Sequence, residues 1–345
     1  MNKKNDKLTD RIKEITERQD KKLLPDFPKK NLLIEVSNIC NSSCIFCANR
    51  KMTRTRGKIN EELLKNILID AYDLGVREVG FYTTGEPLVN TNLNLYIKIA
   101  KEIGYNYIYI TTNGILAQID IMKELISAGL DSVKFSINAI NQNDYKFIHG
   151  NSLYDLVMNN LKDLYNWRKI SQNQFKIYVS YIATKYTEYS NEEIRNNFLN
   201  YCDDVMIVNV RNQSGLVPEN TELLSCNITD DKIKAERNLP CHYPFNTICV
   251  TYEGYLTACC TDFQNYLAYA NLNEENLKEA WHNKTITDLR KKHIDKKIEG
   301  SLCDNCINNC LNLPTPLRQD LATEISSSFF EDKTLVLNRI KQFKK

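Results

Sequence analysis

Three cysteines lie close together near the start of the chain, Cys40, Cys44 and Cys47, in the run CNSSCIFC. They follow the apolar run Leu32–Val36, which predicts a β-strand, so the loop that carries them begins where a strand ends. Cysteine thiolates are the usual ligands of iron–sulfur clusters, and three of them on a four-iron cluster leave one iron open to a substrate or cosubstrate. The alternative is a structural zinc site, which usually requires four protein ligands in paired Cys-x2–4-Cys arrangements.

The spacing Cys-x3-Cys-x-aromatic-Cys, completed here by Phe46, resembles the cluster-binding loop of the radical S-adenosylmethionine (SAM) enzymes. The resemblance implies a [4Fe–4S] cluster held by these three cysteines, with SAM bound to its open iron. In that family a one-electron reduction cleaves SAM to a 5′-deoxyadenosyl radical, which removes a hydrogen atom from the substrate. An electron donor such as flavodoxin or ferredoxin is therefore an implied partner, and the protein orients the reacting groups.

The composition excludes several classes of function. A chain of 345 residues can form one barrel-sized domain plus a smaller one, and with 45 Lys and Arg against 43 Asp and Glu it implies no basic face and no nucleic-acid partner. The charged N-terminus lacks the apolar stretch of a secretory signal, and no segment approaches the ~20 apolar residues that span a membrane. Twelve cysteines without an export signal indicate reduced thiols and metal binding in a cytoplasmic protein.

Short β-rich runs alternate with helical patterns from about residue 31 to 212, which predicts βαβ units and an α/β fold with a parallel sheet. Asn60 is expected to cap the first helix of this series, and Gly75 to follow its end. Six such units fit the partial (β/α)6, TIM-like barrel of the radical SAM family, whose active site forms at the C-terminal ends of the strands. The predicted strands are Leu32–Val36, Glu78–Thr83, Tyr107–Thr112, Ser132–Ile137, Phe175–Ile182 and Val205–Val210.

The chain is expected to divide into five parts. They are a charged N-terminal extension (1–30), the barrel (31–215), a linker (216–236), a small cysteine-bearing domain with a β-hairpin and a helix (237–312) and a helical tail (313–345). The tail has apolar residues at helical spacing, which indicates that it packs back on the barrel. These residues are Leu335, Leu337, Ile340 and Phe343.

Polar motifs follow the predicted strands. The run Thr83–Pro87 resembles the family's Gly-Gly-Glu-Pro segment, whose backbone and acidic residue, here Gly85 and Glu86, hold the ammonium of SAM; Thr84 replaces the first glycine. The resemblance also assigns the ribose and carboxylate of SAM to side chains after the third and fourth strands, and Asn138 stands where an aspartate is common. These side chains are Thr112, Asn113, Ser136 and Asn138. The alternative for both motifs is an ordinary turn.

A second group of cysteines lies near the C-terminus. Cys241 precedes a Gly-x4-Cys run that ends at Cys259, and the run Cys303–Cys306 follows. This order resembles the SPASM and twitch extensions of radical SAM enzymes, in which a β-hairpin and a helix carry an auxiliary [4Fe–4S] cluster. The segment Val250–Ala258, with Glu253-Gly254 between apolar runs, is expected to form that hairpin.

The resemblance implies one auxiliary cluster, fully ligated by protein, in the shorter twitch-like form. The implied ligands are Cys241, Cys259, Cys303 and Cys306. Cys260 and Cys310 leave the ligand set open, and a zinc ribbon is the alternative. Among the other cysteines, which include Cys226, Cys202 is expected to lie in the core. Cys249, Cys260 and Cys310 are candidate hydrogen-atom donors to a substrate radical, as in radical SAM epimerases, with Cys249 and Cys260 favoured because they flank the hairpin.

Arg211 ends the sixth predicted strand and is expected to point to the barrel mouth, where it would contact SAM or orient a substrate hydroxyl; a surface arginine is the alternative. An auxiliary cluster near the substrate is a suitable electron acceptor. The expected function is therefore dehydrogenation, or epimerisation, of a carbinol carbon in a sugar, polyol or aminoglycoside-like molecule. The alternatives are maturation of a ribosomal peptide and a non-catalytic zinc or iron–sulfur protein. His149 and His242 receive no role.

Overall fold

The computed structural model describes residues 8–16, 21–171, 173–224, 239–326 and 328–344. The strands are β1 Leu32–Ile34, β2 Glu78–Gly80, β3 Tyr107–Thr112, β4 Ser132–Ser136, β5 Lys176–Ala183, β6 Asp204–Asn209, β7 Ile248–Val250, β8 Tyr255–Thr257 and β9 Ala268–Asn271. Cys226 and most of the predicted linker lie outside the described residues.

Helices fill most of the connections between these strands. The α-helices are α1 Leu8–Thr16, α2 Glu61–Asp73, α3 Leu93–Ile103, α4 Ile119–Ser127, α5 Gln142–His149, α6 Tyr154–Ser171, α7 Asn191–Phe198, α8 Tyr243–Asn246, α9 Leu277–Ala280, α10 Lys284–Ile294, α11 Leu302–Asn308, α12 Ser328–Glu331 and α13 Thr334–Phe343. Short 3-10 helices cover Ala48–Lys51, Pro87–Val89 and Pro218–Leu223. No helix in the described part of the chain is both long enough and apolar enough to cross a membrane.

The strands form one sheet in the order β6-β5-β4-β3-β2-β1-β7-β8-β9. Strands β1 to β6 run parallel, each paired with the next along the chain, and the sheet is open. This arrangement confirms the predicted partial (β/α)6 barrel. Because parallel strands of this kind end at the same rim, the loops after β1 to β6 all reach one face of the molecule.

Five of the six predicted strands differ from the observed strands at their ends, and β3 has the predicted bounds. The first two strands are shorter than predicted, ending at Ile34 and Gly80. Beyond Gly80 the chain stays extended, since the Phe81 N–H still donates to the Tyr109 carbonyl at 2.9 Å. The extended chain that the sequence predicted after Gly80 is therefore present for at least one residue beyond the end of regular strand pairing.

The C-terminal extension joins the same sheet. Strand β7 pairs in parallel with β1. Strand β8 lies between β7 and β9 and pairs with both in antiparallel fashion. The turn between β7 and β8 contains Gly254 at φ +90°, a left-handed conformation that favours glycine. The hairpin is thus present where the sequence predicted it, and it extends the barrel sheet at the β1 edge.

Helix α1 lies across the N-terminal ends of the barrel strands, a position that the sequence did not predict. The Arg11 guanidinium forms an ion pair with Glu78, the first residue of β2, and lies 4.0 Å from the centroid of the Tyr107 ring at the start of β3. Leu8 and Ile12 face the barrel interior. The helix therefore helps to close the end of the barrel opposite the cysteine loop.

Helix α13 packs against the other end of the barrel. Val336 and Ile340 are buried with Ile45 and Phe46 of the cysteine loop, whereas Leu337, which the sequence pattern placed in the packed face, is exposed. The tail is helical as predicted, but its buried face is rotated toward Val336. The face of α13 that contains Val336 is buried because it packs against Ile45 and Phe46 of the cysteine loop.

A matched pair of substitutions tests the predicted helix cap. The Asn60 side chain accepts a hydrogen bond from the Leu63 N–H at 3.1 Å at the start of α2, whereas Asn92, at the same position of α3, makes no side-chain cap bond. Asn60→Ala should lower the free energy of unfolding by about 1 kcal/mol, and Asn92→Ala should change it by much less. Urea denaturation of the two variants measures the difference; equal losses would contradict the assignment.

Candidate active site

The three N-terminal cysteines lie together on the loop after β1. Burial and the neighbouring Cys44 thiol raise the pKa of Cys40 to about 12, and the same two causes raise that of Cys47 to about 12. Phe46 between them is buried. Buried thiols that resist ionisation become thiolates when they bind metal, and metal binding is coupled to proton release in this way. The loop therefore fits a cluster with three cysteine ligands.

His149, which the sequence left without a role, contacts this loop. Its Nδ1 lies 3.2 Å from the Cys44 sulfur, and its Nε2 lies 2.6 Å from the Ile137 carbonyl oxygen after β4. Burial would raise the pKa of the Cys44 thiol, but the His149 imidazole overcomes this effect and lowers it. The two residues are 105 positions apart, and only the packing of α5 under the loop joins them.

The Thr84-Gly85-Glu86 segment packs directly against the chain that leads into the cysteine loop. A Cβ atom at Gly85 would lie 2.2 Å from the Ser37 carbonyl oxygen and 2.7 Å from that of Ile39. The Glu86 N–H donates to the Ile39 carbonyl at 2.9 Å, and the Asn49 amide donates to that of Thr84 at 2.7 Å. Glycine is required at this position by close backbone contact and not only by a turn.

Glu86 links the ends of β2 and β3. Its carboxylate accepts hydrogen bonds from the Thr112 hydroxyl and the Asn113 N–H, both at 2.7 Å, and from the Leu88 N–H at 3.1 Å. Burial raises the pKa of Glu86 to about 7, although these hydrogen bonds oppose the shift. The Asn113 amide lies 3.9 Å from the Cys40 sulfur. Glu86, Thr112 and Asn113 therefore meet beside the cysteine loop.

Ser136 and Asn138 lie at the end of β4. The Ser136 hydroxyl is 3.2 Å from the Ser180 hydroxyl of β5. Asn138 is buried at φ +56°, and its side-chain oxygen accepts the Ile182 N–H at 2.9 Å. The Asn138 side chain thus ties β4 to β5, a structural task that the sequence did not indicate.

The C-terminal cysteines converge although they come from distant parts of the extension. Burial and the thiols of Cys306, Cys241 and Cys259 raise the pKa of Cys303. The pKa of Cys259 is lowered to about 6, first by a hydrogen bond with Cys260 and against the effect of burial. The four cysteines of the predicted set thus surround one space, and Cys260 interacts directly with a member of it.

Among the described residues, no group of three or more His, Cys, Asp or Glu side chains converges closely enough to hold a single metal ion. A zinc ion would need four ligands at one centre. A four-iron cluster distributes its cysteine ligands over different irons and does not need such convergence. The spacing of the thiols in both cysteine groups is thus compatible with a four-iron cluster.

A cavity of about 740 Å³ occupies the barrel interior between these elements. Phe46 of the cysteine loop lines it on one side, and the four cysteines of the predicted auxiliary set line it on another. Arg211 and Cys260 line it as well, whereas Cys249 is buried on β7 and is not among the lining residues. Among the described residues that line the cavity, Phe46 is the one predicted SAM contact. The other predicted SAM contacts lie at the rim, beyond the ends of the strands.

The sequence missed a buried ion-pair network below the rim. The Arg54 guanidinium donates to Glu35 at 2.6 Å and forms an ion pair with Glu253 in the β7–β8 turn. Glu35 also accepts the Thr84 hydroxyl and, at 2.9 Å, the Tyr252 N–H. Glu35, a charged residue inside the apolar run Leu32–Val36, was the available signal, because an unpaired carboxylate is not expected in such a run.

Two protein-family models match the chain. The radical SAM superfamily model matches residues 34–169, and the SPASM iron–sulfur cluster-binding domain model matches residues 241–307. The first match contains the N-terminal cysteine loop and the second contains the four cysteines of the predicted auxiliary set. These matches confirm the predicted resemblance in both parts of the chain.

Curated relatives match a part of the chain. A probable GTP 3′,8-cyclase of Methanothermobacter marburgensis is 36% identical over 121 residues, which are 35% of this chain and 39% of the cyclase. A probable GTP 3′,8-cyclase of Saccharolobus islandicus is 30% identical over 135 residues, 39% of this chain and 43% of the relative. The chain thus spans about two fifths of the length of these relatives.

Solved structures share the fold over most of the chain. SuiB of Streptococcus suis, bound to its precursor peptide SuiA, has a TM-score of 0.60 and 17% identity, and the match covers 96% of this chain and 83% of SuiB. BtrN, in complex with AdoMet and 2-DOIA, has a TM-score of 0.52 and 19% identity, and the match covers 84% of this chain and 95% of BtrN. At these identities the likeness establishes the fold.

Gly85→Ala tests the close packing of the rim loop. The added methyl group would collide with backbone carbonyl oxygens that cannot move aside, so the loop should shift and SAM binding should be lost. Equilibrium dialysis with the iron-loaded protein measures the binding. Gly75→Ala is the control: Gly75 precedes β2, has φ +94° and open space around it, so this variant should lose stability but keep SAM affinity.

The pKa of Glu86 predicts how SAM affinity changes with pH. The carboxyl has to be ionised to attract an ammonium group, and its pKa is raised to about 7. SAM affinity should therefore be highest above neutral pH and fall by about tenfold per pH unit below pH ~7. Glu86→Gln should bind SAM more weakly and without this pH dependence. The same pH profile in both proteins would show that Glu86 does not contact SAM.

Proposed function

We propose that this chain is a radical SAM oxidoreductase that acts on a small molecule. Residues 34–169 match the radical SAM superfamily model, and residues 241–307 match the SPASM iron–sulfur cluster-binding domain model. The proposed reaction is dehydrogenation, or epimerisation, of a carbinol carbon in a sugar, polyol or aminoglycoside-like substrate. The residues at the strand ends are proposed to bind SAM, and the two cysteine groups to hold the clusters. Arg211 and Cys260, which line the cavity, are the proposed catalytic residues.

The position of the cavity is the observation that carries this proposal. One cavity is lined both by Phe46 of the N-terminal cysteine loop and by the C-terminal cysteines. A substrate in it would lie within reach of both groups. When bound, SAM and its [4Fe–4S] cluster would supply the hydrogen-abstracting radical, and a single auxiliary [4Fe–4S] cluster would accept the remaining electron.

The chain's own residues would bind and orient the reactants. Glu86, Thr112 and Asn113 are held in fixed positions by mutual hydrogen bonds, which suits them to position SAM. Arg211 lines the cavity just after β6, and its guanidinium would orient a substrate oxygen, because a guanidinium offers N–H donors and no acceptor atom. Helix α13 covers the cysteine loop and limits the access of water.

Maturation of a ribosomal peptide is the alternative. It would use the same SAM site, and Cys260, which lines the cavity, is the better placed of the two favoured candidate hydrogen-atom donors. Under either reading, a flavodoxin or ferredoxin in the cytoplasm is the proposed electron donor. The product distinguishes the reactions: loss of two hydrogens indicates dehydrogenation, and uptake of deuterium from deuterated water without loss of mass indicates epimerisation with a thiol donor.

Cleavage of SAM tests the proposed function. Protein reconstituted without oxygen should hold about eight irons per chain and, with dithionite, convert SAM to 5′-deoxyadenosine and methionine. Cys44→Ala should hold about four irons and abolish cleavage, because the open iron is lost with its cluster. Cys306→Ala should also lose about four irons but keep part of the cleavage while forming no product.

Cys202→Ala provides the matched control. Cys202 is buried, and its thiol donates to the Phe198 carbonyl at 3.3 Å, away from both cysteine groups. This variant should keep the full iron content and SAM cleavage. A wild-type protein that binds zinc and cleaves no SAM would end the proposal. Iron loss in Cys202→Ala equal to that in Cys44→Ala would instead overturn the assigned ligand sets.

A further inference from the structure

One lysine points into the cavity from the middle of a barrel strand. Lys134 is the third residue of β4, and it lines the cavity together with Ser132, two residues earlier on the same face. In the sheet it stands opposite Thr111 of β3 and Tyr178 of β5, which also line the cavity. The Lys134 ammonium group is therefore placed inside the barrel and not at the molecular surface.

No described carboxylate pairs with this ammonium group, and its contact with a described residue is the face of an aromatic ring. Its Nζ lies 5.7 Å from the centroid of the Tyr82 ring, and it has no hydrogen bond or ion pair within the described part of the chain. Arg11, in contrast, is paired with Glu78 at the other end of the cavity. Burying a charged group without a partner is unfavourable, so a partner is expected to come from whatever enters the cavity.

The amine and guanidinium side chains that line the cavity are cationic, and the cysteines of the auxiliary set are acidic groups in its lining. Four cationic side chains line it, and no aspartate or glutamate does so among the described residues. The cationic residues are Arg11, Lys21, Lys134 and Arg211. Low-dielectric walls with an excess of positive charge concentrate anionic ligands. An ammonium-bearing molecule such as an aminoglycoside would be repelled by the same lining.

We propose that the cavity takes an anionic substrate and that Lys134 binds its carboxylate or phosphate group. The inference rests on the proposed function in one respect, that this cavity is the substrate site. It narrows the proposed substrates, which are sugars, polyols and aminoglycoside-like molecules, to those that carry an acidic or phosphate group. A cation fixed on a central strand would also orient the substrate, because strand positions in a paired sheet move little.

The pKa of Lys134 is consistent with this role. Burial lowers the pKa of Lys134 to about 8, and the nearby Cys260 opposes the shift. An anion bound next to the ammonium group would stabilise its charged form and raise that pKa again. The fraction of neutral amine, which is the form that reacts with electrophiles, would then fall. Chemical labelling of Lys134 can therefore detect the bound anion directly.

Reductive methylation of the loaded protein tests the proposal. The protein is reconstituted with iron and sulfide, mixed with SAM, and treated with formaldehyde and a borane at constant ionic strength. Peptide mass spectrometry then follows the methylation of Lys134. The probes are acetate and inorganic phosphate, with acetamide as the neutral molecule of the same shape as acetate. Lys123, whose side chain is 42% exposed and ion-paired with Asp120 at 3.2 Å, serves as the internal control.

We expect acetate or phosphate to slow the methylation of Lys134 by about tenfold, which corresponds to a rise of one pKa unit, and acetamide to leave it unchanged. Methylation of Lys123 should not respond to any probe. Protection by acetate alone assigns a carboxylate substrate, and protection by phosphate alone assigns a phosphorylated one. The proposal is wrong if acetate and acetamide have equal effects and phosphate does not protect Lys134. It is also wrong if no probe protects Lys134.

Substitutions provide a second measurement that does not depend on labelling. The anion that protects Lys134 should raise the melting temperature of the loaded wild type and of Lys134→Arg, and should do so much less in Lys134→Met. Lys123→Met should behave as the wild type. A response of Lys134→Met equal to that of the wild type would overturn the role of Lys134. Neither measurement requires SAM turnover, so a protein that cleaves SAM but binds no anion loses only this inference.

Discussion

Arg54 connects three segments that all have to meet for the site to exist. Its buried guanidinium bridges Glu35, directly after β1, and Glu253, in the turn of the C-terminal hairpin. Glu35 in turn accepts the hydroxyl of Thr84 from the rim loop after β2. Removing one partner of such a buried pair typically costs about 3–5 kcal/mol, because the other charge is left without compensation. The cysteine loop, the rim loop and the extension are therefore energetically coupled through one side chain.

The continuous sheet explains why this coupling is possible. Strand β1 pairs with β2 on one side and with β7 on the other, both in parallel. The extension is thus part of the barrel wall and holds its four cysteines at a fixed position relative to the cavity. A domain attached only by a flexible linker would not fix this geometry. Strand pairing fixes β7 and β8, and with them the start of the segment that carries Cys259, relative to β1 and the loop that follows it.

Charge is distributed unevenly over the barrel interior. At the rim, the carboxylate of Glu86 accepts hydrogen bonds from Thr112 and Asn113, while the described lining of the cavity holds four cationic side chains and no carboxylate. The two regions suit ligands of different charge: an ammonium group at the rim and an acidic group inside. Two reactants with such charges would be placed by electrostatic attraction before any closer contact forms.

The sequence by itself determined the cysteine spacing, the βα alternation and the order of motifs after the strands, because these depend on local periodicity and on residue types whose chemistry is restricted. These features predicted the barrel, the resemblance to the radical SAM enzymes and both cluster sites. The tertiary structure alone decided which distant side chains meet: His149 beside Cys44, Arg54 between Glu35 and Glu253, and Lys134 inside the cavity. The physical reason is that strand register and helix packing set these contacts, and local patterns in the chain do not encode them. Cys44 and His149 are 105 positions apart, and Arg54 and Glu253 are 199 apart.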